Sequence, residues 1–168
     1  MFINNCRSCN SRELEMVLDL GEQPPSNSFI KIEQIKAQER SFPLAIVFCS
    51  SCSLIQLNYT VDPAMIFGDY VYVTSNTKPL ATHLSNMAKS LYNYAKLKPT
   101  ELVIDIGCND GILLQHYPEN FRKVIGIEPS DASKHIKQKR IKLINKFFGF
   151  KTSNKYLAKY ERPKIITI

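Results

Sequence analysis

The sequence predicts an α/β fold in two parts: a small β-rich N-terminal domain, and a Rossmann-like domain in the second half of the chain. Two Cys-x-x-Cys pairs lie within the first 52 residues, and short apolar strands near residues 102–106 and 123–127 each end at a loop with an acidic residue. Strands that alternate with helical segments are typical of a parallel sheet. We therefore expect an N-terminal domain over residues 1–60, an aromatic linker over 61–77 and an incomplete Rossmann-like domain over 78–168.

The cysteine pairs predict a structural zinc site. They are Cys6 with Cys9 and Cys49 with Cys52, and each leaves two residues between the thiols. That spacing lets a tight turn direct both sulfurs at one ion, and two such turns complete a tetrahedral shell with Zn–S distances of ~2.3 Å. A thioredoxin-like redox pair is the alternative, but neither pair follows a strand and opens a helix. Because four thiolates leave no open position, we expect Zn²⁺ to fold the domain and not to catalyse.

Apolar segments around the cysteines predict a small sheet beside the metal. Residues 45–48 and 54–57 are expected to form two strands of a hairpin that holds the second cysteine pair, and residues 16–18 a further short strand. The stretch over residues 19–29 is rich in turn-forming residues, and the adjacent Pro24 and Pro25 exclude a helix there.

The segment over residues 62–76 (DPAMIFGDYVYVTSN) is dense in aromatic and hydroxyl groups. Tyr70 and Tyr72 are two positions apart, so in an extended segment their side chains face the same way. They would then wall a ligand cleft, with phenol groups that donate or accept hydrogen bonds. The alternative is a segment that only packs between the two domains.

A packing helix is predicted over Lys78–Leu97, where apolar residues recur at helical spacing. Its lone histidine, His83, is expected to face solvent or to cap the helix, and not to take part in catalysis. The basic run Lys134–Lys142 is expected to be the solvated face of another helix.

The strongest functional signal is the loop that follows the strand ending at Ile106. Gly107 lets the chain turn and lets a ligand approach the backbone, because no Cβ intervenes. A dinucleotide-binding fingerprint requires a second glycine two positions later, where this sequence has Asn109. Asp105, at the strand end, would repel a pyrophosphate but favours a ligand that carries an amino group and a sulfonium. The loop therefore predicts S-adenosylmethionine and not NAD.

A second acid ends the next apolar strand. Glu128 lies 21 residues after Gly107, and in nucleotide-binding folds an acid ~20 residues past the glycines accepts hydrogen bonds from the ribose hydroxyls. We expect Glu128 to bind the ribose of the cofactor. Cys108 lies in the glycine loop without an identifiable His–acid pair, and we expect it to fill space and not to act as a nucleophile.

Composition excludes several classes of partner. The chain has 22 Lys and Arg against 15 Asp and Glu, a formal net charge of +7, but its basic residues do not form one stripe. We therefore expect no nucleic-acid binding. The sequence contains neither a signal peptide nor an apolar run of the ~18 residues that span a bilayer, so we expect a cytoplasmic protein without membrane contact.

Taken in order, these motifs resemble the sugar C-methyltransferase family, which combines an N-terminal zinc-binding domain, a class I methyltransferase domain and a C-terminal domain. The match spans nearly the whole chain, with Ser53 at a position where the family often has glycine. The matching segments are CRSC at 6–9, LDLGEQPPSNSF at 18–29, FPLAIVFCSSCSLIQL at 42–57, YVYVTSN at 70–76, VIDIGCNDGILL at 103–114 and GIEPS at 126–130.

The resemblance implies methyl transfer from S-adenosylmethionine to a carbon of a nucleotide-linked keto-sugar. Tyr70 and Tyr72 fall in the tyrosine motif that reaches the active site, with Tyr72 preferred as the catalytic residue. The resemblance also implies a truncated form, because fewer strands are predicted here than the family's sheet contains, and a catalytic base beyond residue 168. The predicted cofactor-binding residues are Asp105, Gly107, Asn109, Asp110, Gly111, Glu128 and Pro129.

An alternative function is a non-catalytic, zinc-supported module that holds the cofactor or a partner chain. A second chain that supplies the missing half of the sheet is the protein partner we consider. The two functions differ in one expected result, because adding such a chain restores methyl transfer only to a truncated enzyme.

Overall fold

The computed structural model describes residues 1–68, 70 and 72–168. Asp69, and Val71 within the predicted YVYVTSN motif, lie outside the described residues. The chain divides into two compact units, residues 1–69 and 70–168, which we call the N-terminal unit and the C-terminal unit. The fold is mixed α/β, as the sequence predicts, with an antiparallel sheet in the first unit and a parallel sheet in the second.

The N-terminal unit is built on a three-stranded antiparallel sheet. Its strands are β1 (Leu14–Gln23), β2 (Phe42–Cys49) and β3 (Ile55–Leu57), in that order across the sheet. The predicted strands are present, although β1 extends well past residues 16–18 because it pairs with β2 along most of its length, with two register shifts. Leu14 pairs with Cys49, so β1 begins beside the second cysteine pair.

Two short elements complete this unit. A 3-10 turn at Ile32–Gln34 lies in the connection between β1 and β2, after the two prolines. Helix α1 spans Pro63–Phe67 and begins at a capping residue, Asp62, whose carboxylate accepts a hydrogen bond from the Ala64 N–H at 2.9 Å. Such a cap satisfies one of the free N–H groups at the start of a helix.

The C-terminal unit is an α/β structure around a four-stranded parallel sheet. Its main elements are α2 (Lys78–Tyr94), β4 (Val103–Ile106), α3 (Ile112–Gln115), β5 (Val124–Ile127), β6 (Ile141–Ile144), α4 (Phe150–Thr152) and β7 (Ile165–Thr167). Two 3-10 turns, Thr74–Asn76 and Asp131–His135, and a π-helical turn, Ser153–Leu157, complete the unit.

The strand order in the parallel sheet is β6-β5-β4-β7. The chain moves outward from β4 through β5 to β6 and then returns to the other side of β4, which makes the gap between β4 and β7 a topological switch point. In open parallel sheets, ligands bind at the carboxyl ends of the strands near such a point. The sequence-predicted loop after Ile106 lies at this edge.

Apolar side chains cover both faces of the parallel sheet, because alternate residues of each strand point to opposite faces. On one face, Val103 and Val124 pack with Leu114 and with side chains of α2. On the other face, Ile125 packs with its neighbours and with Tyr156. The predicted helix over residues 78–97 is α2, and His83 lies exposed on it. In the part of the chain that the structure describes, no helix combines the length and apolar character that crossing a membrane requires.

The basic run over residues 134–142 does not form the predicted helix. The chain makes the 3-10 turn at Asp131–His135, becomes extended at Ile136 and enters β6 at Ile141. The physical reason is that Arg140 is half-buried and directs its guanidinium at backbone carbonyls near the end of α3, so the run is not a wholly solvated face. Arg140 donates hydrogen bonds to the backbone carbonyls of Leu114, Gln115, Tyr117 and Pro118.

Candidate functional site

The two cysteine pairs converge on one point of the N-terminal unit. The four sulfurs lie within 4.8 Å of one another. The Sγ atoms of Cys6 and Cys52 are 3.5 Å apart, and those of Cys9 and Cys49 are 3.6 Å apart. A tetrahedral centre with Zn–S bonds of ~2.3 Å places its sulfurs ~3.8 Å from one another. The four cysteines therefore fit a zinc ion with only small movements of the side chains.

The two Cys-x-x-Cys turns share one backbone geometry. The Asn10 N–H donates to the carbonyl of Cys6 at 3.0 Å, and the Ser53 N–H donates to the carbonyl of Cys49 at 2.8 Å. In each turn the donor lies four residues after the first cysteine and has a positive φ, 62° at Asn10 and 63° at Ser53. The turn requires a left-handed residue at this position, which explains why glycine suits it in the family that the sequence resembles.

Backbone N–H groups prepare the first turn for a metal. The N–H groups of Cys9 and Ser8 are directed at the Cys6 sulfur, with Ser8 N at 3.4 Å, and they lower the pKa of Cys6 to about 6. The thiolate is the form of cysteine that binds metals. The same N–H groups would continue to stabilise the negative charge of the sulfur in a zinc complex.

Two polar residues that the sequence analysis did not select fix the cysteine turns to the sheet. The Glu13 carboxylate accepts hydrogen bonds from Ser51 Oγ at 2.9 Å and Ser50 Oγ at 3.3 Å, within the second turn. Gln56 Oε1 accepts from the Arg7 N–H at 3.1 Å, within the first. Gln56 is buried although both its neighbours in β3 are exposed. The sequence signal for Gln56 was a polar residue in the middle of a short strand whose other residues are apolar.

The second candidate site lies at the carboxyl ends of β4 and β5. The chain turns at Gly107, which has a φ of 73° and donates its N–H to the carbonyl of Ile127 at 2.7 Å. A Cβ added at Gly107 would meet nothing within 4 Å, so the space beside this backbone is open. This open space leaves room for a ligand to approach the backbone at the strand end.

Glu128 organises this loop. The residue is buried, and its Oε2 accepts a hydrogen bond from the Asn109 N–H at 2.9 Å while Oε1 accepts from the Ser130 N–H at 2.8 Å. An ionised carboxylate has about four lone-pair sites, so each oxygen keeps acceptor capacity for a ligand hydroxyl. Asn145, at the carboxyl end of β6, donates from Nδ2 to the Glu128 carbonyl at 2.8 Å and holds the backbone of the acid in place. Its position at a strand end was the available signal for Asn145.

Asp105 lies deeper in the same edge of the sheet. Its Oδ1 accepts a hydrogen bond from Thr167 Oγ1 on β7 at 2.6 Å. Burial raises the pKa of Asp105, the Thr167 hydrogen bond opposes that shift, and the nearby charge of Glu128 adds to it. Two acids that share a partly dry site form a negative environment, which suits a ligand with positive charge.

The side chains of Asn109 and Asp110 are turned toward the tyrosine segment. Asn109 Nδ2 donates to the Tyr72 carbonyl at 2.9 Å, and Asn109 Oδ1 accepts from the Thr74 N–H at 2.9 Å. Asp110 Oδ2 accepts from the Ser75 N–H at 3.1 Å. The structure thus brings the predicted cofactor loop and the predicted aromatic segment together through these two residues. Their predicted contact with the cofactor stays a prediction.

The two predicted catalytic tyrosines lie side by side. The ring centroids of Tyr70 and Tyr72 are 6.2 Å apart, with a 57° angle between the ring planes, and the Tyr72 side chain is exposed. The Tyr72 carbonyl accepts a hydrogen bond from Asn109, which lies two residues after Gly107 in the cofactor loop. The exposed Tyr72 ring therefore lies on the segment whose backbone Asn109 contacts.

The remaining predicted residues lie around the loop, and the predicted cofactor contacts of Gly111 and Pro129 stay predictions. Gly111 is buried at the start of α3, and a Cβ there would meet Ile136 Cγ1 at 3.2 Å. Pro129 is half-buried, and its carbonyl accepts from Asn145 Nδ2 at 3.3 Å. Cys108 is buried, and burial raises the pKa of its thiol. Such a thiol is a poor nucleophile, consistent with the space-filling role predicted for it.

The geometry defines a class of protein: a β-rich unit built on a four-cysteine metal site, joined to a Rossmann-like unit with an acid pair at its switch point. Residues 6–67 match the family model Methyltransf_13, described as "Putative zinc binding domain". Over 128 residues the chain is 27% identical to the C-methyltransferase NovU of Streptomyces niveus, an alignment that covers 76% of this chain and 30% of that protein. The chain thus spans about a third of the length of this curated relative.

These findings confirm the family resemblance predicted from the motifs. The N-terminal part of the chain is similar to a zinc-binding domain, and the longer alignment is to a C-methyltransferase. The match over residues 6–67 begins at Cys6 and contains all four cysteines, so the family model and the sulfur geometry agree on a structural zinc site.

Proposed function

We propose that this chain forms the zinc-binding and donor-binding part of an S-adenosylmethionine-dependent C-methyltransferase that acts on a nucleotide-linked keto-sugar. The observation that carries the proposal is the open backbone at Gly107 beside the buried carboxylate of Glu128. An adenosyl ligand needs both features, a close approach to the strand end and an acceptor for its ribose hydroxyls. The relationship to NovU supports carbon as the methylated atom, since that protein is named a C-methyltransferase.

The acid pair explains why the donor would be a sulfonium and not a dinucleotide. Asp105 and Glu128 place negative charge at the carboxyl ends of β4 and β5, where a pyrophosphate would be repelled. When bound, S-adenosylmethionine supplies an electrophilic methyl group on a positively charged sulfur, and its transfer to an enolate carbon leaves S-adenosylhomocysteine. Asp105 would attract the positively charged part of the donor, while Glu128 would orient the ribose.

Tyr72 is the residue we propose for contact with the acceptor, with Tyr70 as its neighbour. A phenol beside a keto-sugar can donate a hydrogen bond to the carbonyl oxygen and stabilise the negative charge that develops when the adjacent carbon loses a proton. The sugar and a second chain that completes the assembly are the partners we propose. Because this chain spans about a third of its relative, the reaction is proposed for an assembly that contains the remaining parts.

Calorimetry on the zinc-loaded protein tests donor binding. We expect S-adenosylmethionine and S-adenosylhomocysteine to bind, and Glu128→Gln to weaken binding about 100-fold, because charge-assisted hydrogen bonds contribute about 1.5–3 kcal/mol each. Glu119→Gln, at an exposed glutamate of the same unit, serves as the matched control and should bind normally. Absence of heat with either ligand on folded protein would reduce the chain to a metal-supported scaffold.

Transfer of a labelled methyl group tests the reaction. The chain, alone and mixed with the missing part of a family enzyme, is supplied with methyl-labelled S-adenosylmethionine and a panel of nucleotide-linked keto-sugars. We expect label to move to sugar carbon only in the mixture, and Tyr72→Phe to reduce the rate while S-adenosylhomocysteine still binds. Donor binding without transfer in any mixture would favour the non-catalytic module.

A further inference from the structure

Among the described residues, the hydrogen bonds that link Tyr72, Thr74 and Ser75 to the glycine loop each pair a loop side chain with a segment backbone group. Asn109 contacts the Tyr72 carbonyl and the Thr74 N–H, and Asp110 contacts the Ser75 N–H. Because these three hydrogen bonds use backbone groups of the segment, they leave the Tyr72 phenol group unengaged by the loop side chains. The loop therefore positions the segment without using that phenol group.

Asn109 also contacts the predicted ribose acid. Its backbone N–H donates to Glu128 Oε2 at 2.9 Å, while its side chain holds the tyrosine segment. The residue has a φ of 51°, a left-handed conformation that asparagine tolerates better than most residues. That conformation places the N–H and the side chain on two different partners, so one residue links Glu128 to the segment.

We propose that Asn109 and Asp110 are positioning residues that couple occupancy of the donor site to the placement of Tyr72. A ligand that engages Glu128 fixes the Asn109 backbone, and the Asn109 side chain then holds the segment in one position. Asp110 adds a second attachment one residue further along, and its other oxygen, Oδ1, accepts from the Ile112 N–H at 3.3 Å at the start of α3. The ligand in this inference rests on the proposed function, but the attachment of the segment does not.

Amide hydrogen exchange measured residue by residue with NMR tests the attachment. Asn109→Gly removes the side chain and keeps the left-handed backbone free of strain, so Thr74 exchange should become about five- to tenfold faster, as expected for loss of one hydrogen bond. Asn109→Asp keeps the acceptor and should leave Thr74 protected. Asp110→Ala removes the acceptor and should speed Ser75 exchange and not Thr74 exchange. The matched control is Asn27→Gly, the same substitution at a left-handed asparagine of the N-terminal unit, which should change neither amide.

S-adenosylhomocysteine tests the coupling. In the unsubstituted protein its binding should slow exchange at Thr74 and Ser75 by at least about threefold. In Asn109→Gly, measured at ligand concentrations that saturate the variant, the Thr74 response should disappear. If Asn109→Gly leaves Thr74 exchange unchanged, the attachment is wrong. If the ligand binds and the Thr74 and Ser75 amides do not respond, the coupling is wrong. If neither the unsubstituted protein nor its variants bind the ligand but the substitutions alter exchange as stated, the attachment stands and the proposed function fails.

Discussion

The two units of the chain reach stability by different means. Among the described residues of the N-terminal unit, only Cys6, Ala45, Val47 and Cys49 are buried apolar side chains, and two of these are proposed zinc ligands. The C-terminal unit buries apolar residues on both faces of a parallel sheet, with Tyr117 and Phe121 almost fully enclosed. A small sheet that is exposed on most of its surface needs a metal, whereas the parallel sheet is stabilised by packing.

Removing the metal is expected to have the largest effect of the changes considered, and it should affect the N-terminal unit and not the C-terminal unit. Chelation, or Cys49→Ser, should unfold the N-terminal unit, since structural zinc contributes about 10 kcal/mol or more. NMR signals of Val47 should lose their dispersion while those of Leu114 persist. Cys108→Ser is the control, and it should retain one zinc per chain by atomic absorption. Survival of the Val47 signals after chelation would refute the comparison.

Adding one methyl group is expected to damage the packed unit. A Cβ at position 126 would lie 2.6 Å from Cys108 Sγ and 3.3 Å from Leu114 Cδ1, so Gly126→Ala should lower the free energy of unfolding by about 2 kcal/mol. Cys108→Ala removes the sulfur and should restore about half of that loss in the double variant. Denaturant unfolding of the zinc-loaded proteins measures both. Strictly additive effects would show that the two side chains do not meet.

Asp105→Asn should stabilise the packed unit while weakening donor binding. The raised pKa of Asp105 means that stability from this group is full below its unfolded pKa and falls as pH rises through the folded one. Asparagine keeps the acceptor for Thr167 and removes the charge, so we expect about 1 kcal/mol of added stability at pH 8. That gain should shrink as the pH is lowered toward the pKa of an unfolded aspartate, ~4, as followed by thermal unfolding. Asp131→Asn, at an exposed acid, should show no such trend.

Ser53→Gly is expected to have the smallest effect and to stabilise the metal-supported unit. A left-handed φ costs a non-glycine residue about 1–2 kcal/mol. Glycine avoids this cost but loses more conformational entropy when the chain folds, which offsets part of the gain. The net gain in unfolding free energy should be about 0.5–1 kcal/mol, measured at fixed zinc concentration. Asn10→Gly, at the equivalent position of the other turn, should gain less because asparagine tolerates this conformation. Equal gains would show that asparagine has no advantage over serine at this position of the turn.

Local patterns in the sequence sufficed for the parts of the molecule that depend on short-range spacing. The cysteine pairs, the strands around them and the two acids at strand ends are each encoded within a few residues. Contacts between distant segments were not predictable. Asn109 bonds to groups that lie 35 and 37 residues away, and nothing in its own neighbourhood indicates that partner.

The basic run over residues 134–142 shows why the charge pattern alone predicted the wrong structure. Counting charges suggested a solvated helix, but one of those charges is needed inside the fold. Gln56 gives the same lesson for a neutral group, because its inward position depends on an N–H of Arg7 that lies 49 residues away. Arg140 and Gln56 both bond to backbone groups, and because every residue has such groups, the sequence does not show which of them will be the partner.

The contacts of Arg140 mean that a lysine at position 140 would not be an equivalent replacement. Its planar guanidinium reaches four carbonyl oxygens at once, whereas a lysine ammonium has three donors on a flexible stem and would satisfy fewer of them. An Arg140→Lys exchange would preserve net charge and still lose hydrogen bonds to these carbonyls. Net charge therefore does not reveal the loss of hydrogen bonds at this position.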